Sequence, residues 1–455
     1  METLVKLSVI LLSGIILLAI LFYQPFYGMM DDATNLFFLL PKIREQGLLS
    51  YSWSYAQNDI SWGMFRITYP IMIYFLYGIG ASWGATAMFF ANALFVLGVL
   101  YWNALVLERI LKISKWQILL CNLAFFYALD LFQSPSLQEK MVMLFGACLL
   151  SISYNHRLSL LSKLVGIIVF ALLGIVSKAS FCIYLAVSFI ALLASFRFYS
   201  NKQKIFTATF VAIFYTCAVL FLGWVSSKGV YTTGRYSGQK IFPNLFSIDG
   251  LLFLIPVVIF IGFFLRRENI KNRIEIFIPV IGVLAFLAIF LPWGIRAYVQ
   301  SVVSPLYAAL LIFMAHKLLH KWEKCWIPAL MGLALAVVCY RSYATFTRLN
   351  DIGNVVQMGK ELKEKNIHKI YMTCSEGSTM MLHYFTFVAK TEIKVHFLEK
   401  FDQLNDKIIF YDSSFCPLPG RKMEVDGCTA EYFYKSPLKR GFRLAKEHCS
   451  ASKEI

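Results

Sequence analysis

Apolar positions along this chain fall into long unbroken runs, with few alternating or heptad stripes between them. Runs of roughly 16–25 residues read as membrane-spanning helices. They lie at 4–26, 84–107, 116–133, 138–155, 160–177, 180–196, 204–225, 250–265, 274–292, 298–315 and 325–340, which predicts about eleven spans. A further run, Ile67 to Gly80, is short and ends in Gly-rich sequence. It reads as an interfacial or re-entrant segment, because a full span needs more residues. The first run has no small-residue cleavage site and is long enough to cross, so it is expected to stay as a helix.

Past Tyr340 the pattern changes. The segment is more polar and its apolar runs are too brief to span. Gly353 to Lys365 reads as a helix, Ile367 to Thr373 as a strand, and Ser375 to Lys390 as a helix capped by Ser375. Ile393 to Leu398 and Lys407 to Tyr411 read as strands. The expected organisation is a polytopic α-helical membrane domain over 1–340 and a small α/β domain over 341–455.

Composition agrees with the membrane class. Of 455 residues, 58% are hydrophobic and only 15% charged, and the mean hydropathy is +0.64. A soluble chain of this size has no way to hide that much apolar surface. Charge then orients the spans. With an inside N-terminus, the inside loops and adjoining span ends hold fifteen lysines and arginines, from Arg109 and Lys112 to Lys321 and Lys324. The outside loops after the first hold six: Lys140, Lys178, Lys228, Arg235, Lys240 and Arg296. That bias satisfies the positive-inside rule and places the tail outside. It also keeps Ile67 to Gly80 from crossing. The formal net charge of +17 is therefore partly a topology signal, and no basic stripe or binding motif points to nucleic acid.

Of ten cysteines, Cys121, Cys148, Cys182, Cys217, Cys325 and Cys339 lie in or at spans and read as packing residues. Cys374, Cys416, Cys428 and Cys449 lie in the tail. In an oxidising compartment they can form two disulfides in three pairings, and none has zinc-ligand spacing.

The polar residues on the outside face carry the candidate chemistry. Asp31 and Asp32 follow directly on the first span, at the membrane–water boundary. Lys42, Arg44, Asp59 and Arg66 follow in the same loop. Asp130 lies about one turn inside the outer end of the third span. Glu139 sits in the tight turn Ser134-Pro135-Ser136-Leu137-Gln138-Glu139-Lys140, Lys178 in Ser177-Lys178-Ala179-Ser180, and Arg296 in Trp293-Gly294-Ile295-Arg296-Ala297-Tyr298. A carboxylate there can take the proton from an attacking sugar hydroxyl. A Lys or Arg can stabilise charge on a departing phosphate. Each residue also has an ordinary role. Lys178 and Arg296 can snorkel to headgroups, Glu139 can cap a helix or pair with Lys140, Asp130 can pair with a cation at its own interface, and Arg66 can anchor at the interface. Asp59 reads as a solvated loop charge.

Taken together the arrangement resembles the C-type glycosyltransferase superfamily, membrane enzymes that use polyprenyl-phosphate-linked sugars. The acidic motif after the first span looks like Met30-Asp31-Asp32-Ala33, and Asn35 to Gly80 is similar to the membrane-lying segments that follow it. Gln138-Glu139 looks like the acidic residue of the second outside loop, Ser177-Lys178 like the later lysine turn, and Arg296 to Pro305 like the arginine before a late proline-containing span. The closest likeness is to enzymes that decorate O-antigen or other surface polysaccharide. The chain lacks a Lys-Pro-Pro after the first loop, having Thr68-Tyr69-Pro70, and lacks Trp-Trp-Asp. That weakens lipid A and asparagine as acceptors.

The resemblance implies an inverting glycosyl transfer on the outer face of the inner membrane. The donor is an undecaprenyl-phosphate sugar, and the acceptor a lipid-linked or polymeric glycan. Asp31 or Asp32 acts as base; Glu139, with Asp130, orients a substrate; Lys178 and Arg296, with Arg66, hold the phosphate; and the lipid tail lies between helices. No metal is required, although Asp31 and Glu139 would suit a divalent ion. One rival is a flippase or transporter of lipid-linked sugars, a class marked by repeats and mid-span charges; no repeat is found here. The other is a polysaccharide polymerase or ligase, usually centred on a large late outside loop, whereas Ser226 to Asp249 is modest.

Overall fold

A computed structural model describes residues 1–23, 35–125, 128–196, 199–229, 241–264, 274–292, 297–364, 369–372, 394–397, 408–412, 424–425, 428–435 and 442–449. The chain divides into two compact units, Met1–Phe22 with Lys42–Ser342, and Tyr23–Pro41 with Tyr343–Ile455.

The helices, in chain order, are α1 (Glu2–Tyr23), α2 (Leu40–Gln46), α3 (Leu48–Ile60), α4 (Thr68–Trp83), α5 (Ala85–Leu111), α6 (Lys115–Ala124), α7 (Asp130–Gln133) and α8 (Glu139–Tyr154). There follow α9 (Leu160–Ile175), α10 (Cys182–Ser195), α11 (Asn201–Lys228), α12 (Ile241–Leu245), α13 (Ile248–Phe264), α14 (Ile278–Phe290), α15 (Ala297–Leu318) and α16 (Glu323–Glu364). Their starts follow local chemistry. The Ser159 hydroxyl accepts from the Ser162 amide at α9, and Ser200 with Gln203 closes a capping box at α11. Lys112 ends α5 in the left-handed region, at φ 61°. Glu108 then accepts from the Lys115 amide at 3.1 Å, serving the first turn of α6.

This is an α-helical membrane protein. Among the described residues five helices are long and apolar enough to cross: Glu2–Phe22, Ala85–Leu111, Asn201–Lys228, Val299–Leu318 and His320–Tyr343. Their outward faces are apolar too. On α1 only Val5, Val9, Leu12 and Ile16 are buried, one stripe, while Leu7, Leu11 and Leu18 stand open. A helix apolar all round with one packed stripe has lipid as its other neighbour. Several remaining runs form shorter helices. α9 has 16 residues, roughly 24 Å of rise against a hydrocarbon core of about 30 Å. The 116–133 run is not one helix: α6 stops at Ala124, where Phe125 turns extended, and α7 restarts at Asp130. The Ile67–Gly80 stretch forms α4, a 16-residue helix packed on α5 with Tyr69, Met72, Ile73, Leu76 and Tyr77 buried. Gly84, at φ +87°, turns the chain directly from α4 into α5.

α8 is the centre of the packing and meets α5, α9 and α10, while α15 packs on α6 and α14. Asn103 of α5 donates to Val99 O and to Met143 O of α8 at 2.9 and 3.2 Å. Its amide oxygen accepts from Tyr184 Oη of α10, which also lies 3.2 Å from Val302 O of α15. Four helices are thereby tied by one buried amide and one phenol. Gly146 and Gly174 make room for the rings at this level. A Cβ at Gly146 would come within 2.2 Å of the Tyr184 ring, and one at Gly174 within 2.1 Å of the Phe181 ring.

In the second unit, β1 (Lys369–Met372), β2 (Lys394–Phe397), β3 (Ile408–Asp412), β4 (Glu424–Val425), β5 (Cys428–Lys435) and β6 (Phe442–Cys449) form one sheet in the order β2-β1-β3-β6-β5-β4. β1 pairs in parallel with β2 and β3, and the other pairs are antiparallel. β1 and β2 fall within the stretches whose pattern reads as strands, and β3 overlaps its stretch, ending one residue later at Asp412. The β5–β6 pair has no counterpart in that reading. The expected helix Ser375 to Lys390 lies outside the described residues.

The ring-to-glycine contact gives a direct check. Gly146→Ala forces Tyr184 off its two hydrogen bonds, with an expected loss of about 1–3 kcal/mol. Thermal unfolding in detergent should show a lower Tm, and Gly98→Ala, at a glycine where an added Cβ meets nothing within 4 Å, should leave it unchanged or raised.

Candidate functional site

Three chain turns meet at one end of the bundle. They are the α3–α4 connection, the turn entering α8, and the turn between α9 and the 3-10 helix Ala179–Phe181. α3 ends at Ile60, and the backbone folds over Asp59, whose carbonyl accepts from Trp62 and Met64 amides at 2.9 and 3.0 Å. Gly63, at φ +78°, completes the reversal. This brings Arg66 back onto Asp59 in a two-pronged ion pair, Nε to Oδ2 at 2.6 Å and Nη2 to Oδ1 at 2.9 Å. Nη2 also donates to Tyr55 Oη at 3.3 Å, and the guanidinium lies 5.2 Å from the Tyr69 ring centroid. Burial is the largest single influence and works against the Arg66 charge, but the Asp59 hydrogen bond and the electrostatic attraction of Tyr55, Asp59 and Tyr69 together outweigh it and hold the pKa above the ordinary arginine value.

Gln138 joins this pair to the other turns. In the amide orientation that satisfies both of its ends, it accepts from Arg66 Nη1 at 3.2 Å and donates to Ser177 O at 2.9 Å. Thr68 Oγ1 donates to Ser177 Oγ at 2.9 Å, and the Thr68 amide to Val176 O at 3.4 Å. Glu139, the next residue, opens α8 and is fully buried. An acidic residue suits that position, where the helix N-terminus is positive. Its Oε1 accepts from Lys178 Nζ in a short ion pair, in which Lys178 keeps 25% of its side chain exposed. Its Oε2 is buried with no hydrogen-bond partner among the described residues.

Lys140 does not pair with Glu139. It is fully buried and donates to Asn92 Oδ1 and Pro135 O, both at 2.5 Å. Asn92 donates to Leu131 O and Phe132 O at 2.9 and 3.2 Å. The turn that presents Glu139 is therefore bolted to α5 from below.

The structure brings Glu139, Lys178 and Arg66 into one network. It places Asp130 elsewhere, as the first residue of α7, 2.8 Å from Arg341 Nη2. Asp31, Asp32 and Arg296 lie outside the described residues. Asp59, read from sequence as a solvated loop charge, is instead buried and committed to Arg66, because the Gly63 reversal folds the loop back on itself. Gln138, Thr68 and Ser177 were not singled out for this network by sequence, since uncharged polar residues in turns carry no distinctive pattern. Among the described residues no three His, Cys, Asp or Glu gather as metal ligands.

The pair can be weighed by a double-mutant cycle. Lys178→Met strips a buried carboxylate of its cation and should cost about 3–5 kcal/mol. Adding Glu139→Gln should recover part of that loss, with a coupling above about 1 kcal/mol. Additive losses in chemical unfolding would mean that the two side chains do not depend on each other.

No family model matches the chain. A stretch of it is 28% identical over 115 residues to a protein described as a probable potassium transport system protein, Kup 2, of a Bradyrhizobium species. The similarity covers 24% of this chain and 18% of that protein's own length.

Proposed function

We propose that the chain is an inner-membrane glycosyltransferase that moves a sugar from a polyprenyl-phosphate donor to a surface glycan on the extracytoplasmic face. The observation that carries this is the Glu139–Lys178 pair, held where three turns meet, with one carboxylate oxygen of Glu139 buried and unpartnered among the described residues. A substrate hydroxyl would satisfy that oxygen. Lys178, partly exposed, and Arg296 would hold the phosphate. Arg66, whose guanidinium is taken up by Asp59 and Gln138, acts in this reading through Gln138. Asp130, paired with Arg341, takes no part.

In the reaction, Asp31 or Asp32 removes the acceptor hydroxyl proton as its oxygen bonds to the anomeric carbon. The bond from that carbon to the phosphate oxygen breaks, and the phosphate leaves with the electron pair, its charge met by lysine and arginine. The reading keeps the eleven-span map, with an inside N-terminus and an extracytoplasmic α/β tail. Two polar layers support it. The starts of α8 and α10 and the end of α9 gather at Glu139 and Lys178. The opposite ends of the same helices gather at Lys163, which donates to Ser153 O and Ser195 Oγ. The bond from Thr68 to the Ser177 turn brings the start of α4 level with the Glu139–Lys178 layer, the outer one in this reading, which suits a helix that does not cross.

A second reading, ion transport, is favoured by the partial likeness to the Bradyrhizobium protein. One reconstitution separates the two. Protein in vesicles is given labelled polyprenyl-phosphate sugar and glycan acceptor, and rubidium or potassium flux is followed without donor. Transfer should be seen, and Asp31→Asn or Asp32→Asn should lower it by about 10²–10⁴-fold. Flux without transfer, or full turnover in both variants, overturns the proposal.

The tail gives an independent test of its side of the membrane. Cys428 and Cys449 are direct register partners on β5 and β6, and neighbouring strands bring facing residues to disulfide range. In an oxidising compartment they should be linked. Non-reducing peptide mapping should recover the 428–449 bridge, whereas free thiols at both positions would set the tail on the reducing side.

A further inference from the structure

A groove of about 420 Å³ runs between α1, α5 and α6, with walls that are almost entirely apolar. Ile10, Gly14 and Leu17 line one side, Tyr101 and Leu119 the other, and Trp116 stands at one end. It continues over the α1 backbone, because a Cβ added at Gly14 would meet nothing within 4 Å. From Val9 to Leu17 it rises roughly 12 Å, about one leaflet's share of the hydrocarbon core. That is long enough for part of one acyl chain and too short for a polyprenyl chain.

Its mouth is cationic. Lys6 Nζ lies 5.6 Å and Lys115 Nζ 5.7 Å from the Trp116 ring centroid. Glu108 holds Lys115 at 3.1 Å, and Glu2 lies one turn before Lys6. Lys6 itself is exposed and makes no ion pair among the described residues. Arg109 and Lys112 add positive charge at the same end of α5. Tryptophan flanked by lysine is the pairing found at headgroup level, where the ring lies in the interface and the ammonium reaches the phosphates. Apolar walls alone would accept any lipid; the cations select by charge.

We propose that this groove binds an anionic phospholipid of the leaflet on the Lys6 side, with one acyl chain along Gly14 and its phosphate beside Lys6 and Lys115. The site is separate from the Glu139–Lys178 network and does not rest on the proposed transferase activity.

The test uses the full chain in vesicles doped with phosphatidylglycerol or phosphatidylcholine carrying a photoreactive group on one acyl chain, with adducts mapped by peptide mass spectrometry. Phosphatidylglycerol should label residues 9–17 and 116–123 about fivefold or more above phosphatidylcholine, the selectivity expected of one lysine at the headgroup. Lys6→Gln should remove that preference while chain labelling persists. Gly14→Trp should fill the groove and cut labelling by both lipids at least tenfold, with an unchanged thermal midpoint confirming the fold. Equal labelling by the two lipids in the unaltered chain, or labelling that survives Gly14→Trp, overturns the proposal. Displacement of phosphatidylglycerol by equimolar polyprenyl phosphate would also overturn it, by assigning the groove to an isoprenoid. If Gly14→Trp does not fold, the Lys6→Gln comparison decides alone.

Discussion

A charge placed among apolar helices must find a partner there or reach water, and that constraint organises the two ends of this bundle. Glu139, Lys140 and Lys163 are fully buried, and each is met. Glu139 is met by a lysine across a turn, Lys140 by an amide and a carbonyl, and Lys163 by a carbonyl, a hydroxyl and the Tyr199 ring at 5.0 Å. These partners come from different helices, so satisfying the charge also fixes how helix ends meet. The apolar middle, where leucine and lipid are equally comfortable neighbours, gives little such direction. There the Asn103–Tyr184 bond and the glycines beneath the Tyr184 and Phe181 rings supply it.

The same physics separates what the sequence makes legible from what it hides. Long apolar runs report a membrane protein directly, because they register transfer from water to lipid. They say less about where a helix stops. The run through 116–133 is apolar enough to read as one span, yet Phe125 breaks it and Asp130 starts again against Arg341. That ion pair joins residues more than two hundred positions apart, and no local pattern records it. Asp59 was misread for a similar reason. Arg66 lies seven residues on, past the end of α3 at Ile60, so no single helix or strand face carries both, and the Gly63 reversal makes them neighbours. Glu139 and Lys178 were legible as individuals, since each is a charge pinned in a tight turn. Their pairing was not, because it depends on α8, α9 and α10 packing side by side.

Two kinds of cation therefore do different work in one chain. Lys140 is buried and Arg66 half-buried, and both have donors engaged by fixed partners, so they hold turns in place. Lys178 and Lys6 keep part of their surface in the open. For the proposed transfer the distinction matters. A phosphate arriving from the lipid phase needs a cation that can reorient toward it, and a guanidinium already held by both oxygens of an aspartate would have to surrender a near-ideal bidentate pair first. A lysine, with one ammonium on a flexible stem, can keep contact with Glu139 and still present a hydrogen to a second anion. The partly exposed pair at the start of α8 is thus better suited to engage a ligand than the Arg66–Asp59 pair beside it, and the rigid pair serves by keeping the flexible one in position.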